Sequence, residues 1–155
     1  MIELISVEMK NFRSFLSSVF TPAPLGEGMT AITGENGAGK SSILYALLWA
    51  MYGMTPEGVN VRDLRKQGTS EPVVAKVTLK YDEQTIVIER SLRGKNDTTL
   101  AKITLDGIEQ TEISSRTATT WITKKLGLDA EAFTSAFVVQ QKELDSLVKA
   151  RPAER

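Results

Sequence analysis

The 155-residue chain contains no cysteine and no histidine. It therefore has no disulfide framework, no zinc finger, no thiol nucleophile and no imidazole acid or base. An excess of either charge is missing too, with 19 Lys plus Arg against 19 Asp plus Glu. A balanced surface argues against gripping a polyanion by bulk positive charge, so any such contact has to be local. Long apolar runs are absent: the longest, Ile43 to Met54, falls well short of the ~20 residues that cross a bilayer. The opening MIELISVEMKNF has no basic segment before an apolar core, so no signal peptide and a soluble intracellular protein are expected. What remains for chemistry is Lys, carboxylates, Ser/Thr, Gln and a hard cation held by oxygen, a set suited to phosphate and Mg²⁺. The length predicts one domain burying about 70% of its extended-chain surface.

The pattern along the chain alternates β and α signals. Ile5, Val7 and Met9 alternate with Ser6 and Glu8 as in a strand, and a second apolar stretch runs from Phe15 to Phe20. Residues 21–28, with two prolines and two glycines, read as a loop, and Met29 to Thr33 as a short buried strand. Ile43 to Tyr52 reads as a helix apolar nearly all round, ended by Gly53 and Pro56. Val73, Ala75, Val77, Leu79 and Tyr81 share one face of a strand, and Thr85 to Arg90 returns across a turn. Asp106-Gly107 between apolar residues signals a hairpin. Ser114 or Ser115 can cap a helix carrying Trp121, Ile122 and Leu126 and closed by Gly127; Asp129 can cap the next, with Phe133 and Phe137. Leu144, Leu147 and Val148 form a last amphipathic stretch.

Gly34-x-x-x-x-Gly39-Lys40-Ser41 is a complete P-loop, set between a strand signal and a helix signal as its mechanism requires. Its glycines let successive N–H groups turn into one concavity, and the helix N-terminus adds partial positive charge where a phosphate sits. Asn36, Gly37, Ala38, Gly39 and Ser42 complete that cradle, Lys40 reaches the β- and γ-phosphates, and the Ser41 hydroxyl is a Mg²⁺ ligand. Hydrolysis needs more, in particular an acid at the end of an apolar strand. Val77–Glu83, Ile103–Asp106 and Leu126–Asp129 offer only superficial versions of it: an alternating strand, a hairpin turn and a helix end. The chain reads as half of an active site.

Lys10-Asn-Phe-Arg-Ser-Phe15, GENGAGKSSI, Ala50-Met-Tyr-Gly53 and Phe133-Thr-Ser-Ala-Phe-Val-Val-Gln-Gln141 together resemble the N-terminal lobe of the SbcC-type DNA double-strand-break repair ATPases, of the SMC-like branch of ABC ATPases. The resemblance spans essentially the whole chain. It implies an α/β P-loop NTPase fold, an ABC-ATPase-like N-terminal lobe with mixed or antiparallel sheets around the P-loop helix. Residues 1–143 would form the ATP-binding lobe and 144–155 the start of a truncated coiled-coil helix. It further implies that Gln141 ligates Mg²⁺ and senses the γ-phosphate, a role open to a side-chain amide. Arg13 and Ser14 match early phosphate and adenine contacts, and Arg65, Lys66 and Gln67 match a segment bordering the adenine. Tyr45 departs from the family, which usually has Asp there.

The implied cofactors are ATP and Mg²⁺. The implied partners are the C-terminal half of the same head, a second copy in an ATP-sandwiched dimer, an SbcD-type nuclease and DNA bound without sequence preference, with no membrane. Arg90, Arg93, Lys95 and Lys102 are the candidate DNA contacts, with Lys124 and Lys125 further on. The alternatives are an SMC- or RecF-like tethering ATPase lobe, a stand-alone nucleotide-binding domain, and a pure interaction role.

Overall fold

The structure is a computed structural model that describes residues 1–22, 32–55 and 58–137. In chain order the elements are β1 (Ile2–Phe12), β2 (Phe15–Phe20), α1 (Lys40–Tyr52), a short 3-10 turn (Val61–Leu64), β3 (Val73–Tyr81), β4 (Gln84–Arg93), β5 (Thr98–Leu105), β6 (Ile108–Glu109), α2 (Ala118–Leu126) and α3 (Ala130–Phe137). The strands form one sheet in the order β2-β1-β3-β4-β5-β6, every neighbouring pair antiparallel. Of the mixed and antiparallel arrangements open to the sequence, the described strands adopt the second.

Side-chain alternation decides which face is covered. Val73, Ala75, Val77 and Leu79 of β3 are buried together with Ile86, Ile88 and Leu92 of β4 and Ile103 of β5. α1 lies across β1, β3 and β4 on that face, burying Ala46, Trp49, Ala50 and Met51. Phe12 stacks obliquely on Trp49 at 6.0 Å. Large side chains buried this fully stabilise the fold by about 1.5–3 kcal/mol each. The opposite face carries a row of alternating charge: Glu8 of β1 lies beside Lys76 of β3, Lys76 beside Glu89 of β4, and Glu89 beside Lys102 of β5. Cross-strand pairs of opposite sign pin register as well as adding stability.

The strand boundaries correct the sequence reading in places. Ile5 does not share a face with Val7 and Met9: the register shifts between Leu4 and Ser6, and Ile5 is exposed. An extra residue at a bulge inverts the alternation, so Leu4 and Val7 both pack inward. α1 starts at Lys40, three residues before its apolar run at Ile43. Met29–Ala31 lie outside the described residues, and the remainder of that expected strand, Ile32 and Thr33, has no strand pairing among the described residues. Neither Ser114 nor Ser115 caps α2. Its cap position is Thr117, while the Ser115 hydroxyl accepts a 2.8 Å bond from the Ala101 N–H and ties the segment to β5. Asp106 and Gly107 form the expected turn, both at positive φ, and Asp129 caps α3 through the Ala132 N–H at 2.8 Å. Gln140, Gln141 and the expected coiled-coil start lie outside the described residues.

A candidate nucleotide-binding cleft

Three segments distant in sequence meet at the N-terminus of α1. The β1–β2 turn, Arg13-Ser14, docks on the segment after the 3-10 turn: the Arg13 N–H donates to the Leu64 carbonyl at 2.8 Å, the Lys66 N–H to the Asn11 carbonyl at 2.9 Å, and the Lys66 ammonium to the Ser14 carbonyl at 3.2 Å. The P-loop packs against the same turn. A Cβ at Gly39 would lie 2.6 Å from the Phe15 ring and 3.0 Å from the Ser14 hydroxyl, and Gly39 sits at φ 94°. Only glycine meets both conditions without strain.

The cleft so formed has a volume of about 600 Å³, within the ordinary range for a small-molecule site. Arg13, Ser14, Asn36, Gly37, Gly39, Lys40, Ser41, Ser42, Arg65, Lys66 and Gln67 line it, so the structure gathers every expected binding residue of the described chain except Ala38. Ala38 instead closes the loop, its N–H donating to the Glu35 carbonyl. Asp63 also lines the cleft, and sequence reasoning misses it. Its carboxylate accepts from the Asn60 N–H at 2.9 Å in a capping box, and Asn60-x-x-Asp63 is legible as that motif.

The electrostatics suit an anion. α1 begins without a side-chain cap and without an acidic residue in its first turn. The Ser42 N–H donates to the Gly39 carbonyl at 2.9 Å, and no side chain of the first turn compensates the positive dipole end. Lys40 donates to the Gly34 and Glu35 carbonyls at 2.7 and 2.8 Å, which holds the ammonium over the loop and leaves one of its three donors for a ligand. Arg65 is otherwise engaged: its guanidinium pairs with Asp97 at 2.7 Å and donates to the Glu71 carbonyl. It borders the cleft with its charge already answered.

A Mg²⁺ ion fits this donor set only with help. Among the described residues no group of three or more acidic, Cys or His side chains could hold a metal. Ser41 thus supplies a hydroxyl at the loop, and phosphate oxygens would have to supply most of the remaining ligands.

The expected DNA contacts divide. Arg90 is 3% exposed, which corrects its reading as a surface contact: the alternation that turns Ile86 and Ile88 inward turns Arg90 inward with them. Its Nε donates to the Ala50 carbonyl at 3.2 Å and a terminal nitrogen to the Thr119 hydroxyl at 3.3 Å, at the C-terminal end of α1. Burial pushes its pKa below the usual arginine value. Lys102 is exposed but bonded to Glu109 at 2.6 Å, and that hydrogen bond and charge raise its pKa. Arg93 and Lys95 stand exposed at the β4–β5 turn. Lys124 is exposed in the last turn of α2, where Lys125 donates to the Gln84 amide at 2.6 Å.

A glycine-wrapped helix start in an α/β lobe, with a basic cleft around it, defines a P-loop nucleotide-binding class of protein. The AAA domain family matches residues 6–155, and the chain belongs to that family. It is 34% identical over 149 residues to a DNA double-strand break repair Rad50 ATPase of Archaeoglobus fulgidus, covering 96% of this chain and 15% of that protein. It is 48% identical over 59 residues to a subunit of the nuclease SbcCD of Rhodobacter capsulatus, covering 36% of this chain and 5% of that one. Among solved structures, the recombination mediator protein RecF-ATP shares the fold at a TM-score of 0.56 and 23% identity, over 70% of this chain and 28% of that chain. The resemblance expected from the motifs is borne out, and the chain spans only a small part of the length of the relatives it matches.

Proposed function

We propose that the chain is the ATP-binding N-terminal lobe of an SbcC- or Rad50-type head that acts in DNA double-strand-break repair. The observation that carries this reading is the uncapped start of α1 with Lys40 over it, bordering a cleft that Arg13 and Lys66 also line. ATP lies with its phosphates on residues 36–42 and its base toward residues 65–67. Ser41 and Gln141 would hold Mg²⁺ together with phosphate oxygens, and the ion would neutralise phosphate charge. Residues 1–143 form the lobe and 144–155 begin a coiled-coil helix.

Hydrolysis of ATP to ADP and phosphate belongs to the completed head, in which the C-terminal half and a second copy close over the nucleotide. ATP then holds two heads together because contacts made only in the closed dimer favour that state. An SbcD-type nuclease and DNA are the partners, with Arg93, Lys95 and Lys102 as sequence-independent phosphate contacts. Such a head works in the cytoplasm, on the nucleoid in a bacterium. The match over 96% of this chain to a DNA double-strand break repair ATPase supports this reading over a tethering ATPase lobe.

The test is ATP binding and turnover by the chain alone and after mixing with a matching C-terminal half. Binding without turnover is expected alone, and turnover on mixing that disappears with Lys40→Ala. Robust turnover by the chain alone would sink the half-site account.

A further inference from the structure

The cleft holds its two arginines by opposite means, and the contrast, which rests on the nucleotide reading above, points to a residue outside the cleft wall. Arg65 is held by a carboxylate and a carbonyl, and its side chain is only 17% exposed. Arg13 is held by a ring: its guanidinium carbon lies 4.7 Å from the centroid of Tyr45. Among the described residues, none accepts a hydrogen bond from the Arg13 guanidinium or forms an ion pair with it. A carboxylate partner takes a guanidinium's in-plane donors and answers its charge. An aromatic face engages the flat side and leaves both the donors and the charge directed outward.

The Arg13 backbone stands at φ 50° in a two-residue turn, its N–H bonded to Leu64. Its side chain lines the cleft, whereas Tyr45 does not. Tyr45 belongs to α1, whose N-terminus forms the phosphate end of the cleft. The ring that holds the guanidinium and the loop that holds the phosphates are therefore carried by one rigid element.

We propose that Tyr45 is a positioning residue: its ring face holds the Arg13 guanidinium with its N–H edge toward the anionic part of a bound nucleotide. The test titrates the full chain with ATP and with adenosine and follows thermal melting in parallel. Tyr45→Leu should weaken ATP about fivefold while leaving adenosine nearly unchanged, and Tyr45→Phe, which keeps the ring, should hold ATP within about twofold of wild type. Arg13→Gln should lose at least as much ATP affinity as Tyr45→Leu, and adding Tyr45→Leu to it should cost nothing further. If leucine disturbs the helix, Tyr45→Gln is a second ring-deleting variant with the same expectation. The proposal is overturned by Tyr45→Leu binding ATP like wild type, by equal weakening of ATP and adenosine, or by additive loss in the double variant. A wild-type chain that binds no ATP overturns the nucleotide reading instead, so the two failures are distinct.

Discussion

The two ends of α1 are finished in opposite ways. At the N-terminal end there is a left-handed glycine, no capping side chain and no acid, and the positive groups of the cleft gather around it. At the C-terminal end the carbonyls are met in turn: Trp49 by the Gly53 N–H at 2.8 Å, Ala50 by Arg90, and Tyr52 by the Thr119 hydroxyl at 3.1 Å. The Tyr52 hydroxyl reaches the Leu128 carbonyl at 3.2 Å and its ring packs on Phe133 at 5.7 Å. One end is anchored by the protein itself, and the other is left for an anion to complete. Substitutions should accordingly separate into losses of stability at the anchored end and losses of binding at the open one.

The largest effect is expected at the anchored end. Arg90→Ala removes a buried side chain and leaves the Ala50 carbonyl without its donor, which should cost about 3 kcal/mol of unfolding free energy; denaturant titration measures it, and an unchanged midpoint would contradict the anchoring role. At the open end, Lys40→Ala should reduce ATP affinity about 100-fold, as loss of a charge-assisted contact implies, while the melting temperature moves little because Lys40 bonds only its own exposed loop. Gly39→Ala touches both properties. Its Cβ meets the Phe15 ring at a left-handed φ, so about 2 kcal/mol of stability should go together with nucleotide binding.

A smaller effect should appear only in alkali. Burial first, and the charge of Asp129 second, push the Tyr52 hydroxyl up to about 12 from its ordinary 10.0. Between those values the unfolded chain loses its proton and the folded chain keeps it, so stability falls as pH rises from 10.0 to about 12. Below that window the group is neutral in both states and contributes no slope. Tyr52→Phe should flatten this alkaline decline and cost about 1 kcal/mol at neutral pH through the lost bond to Leu128. Least of all, Lys102→Ala, which breaks an exposed pair with Glu109, should leave the denaturation midpoint essentially where it is in the wild type, because solvent screens such a pair.

Local chemistry makes much of this molecule legible in advance. The P-loop spacing marks Lys40 and Ser41, the alternation from Val73 to Leu79 marks a half-buried strand, and Asp106-Gly107 marks a hairpin, each because a short-range rule decides it. Arg90 is misplaced when a run of cations is read as a surface, although the parity of Ile86 and Ile88 already turns it inward. Ile5 is misplaced for the converse reason: parity is trusted through a bulge that only the pairing of β1 with β3 reveals. Asp63 goes unread because its cap is local, whereas its place in the cleft depends on segments more than twenty residues earlier in the chain.

By itself the sequence determined the phosphate-binding loop, the helix that follows it and the alternation of the β-rich middle. These depend on backbone freedom, capping and side-chain period, which act within a few residues. Tertiary structure alone decided which arginine is paired and which lies open on a tyrosine ring. Those outcomes depend on the dielectric, the acceptors and the carboxylates that distant strands bring within a few ångströms, and no local rule contains them.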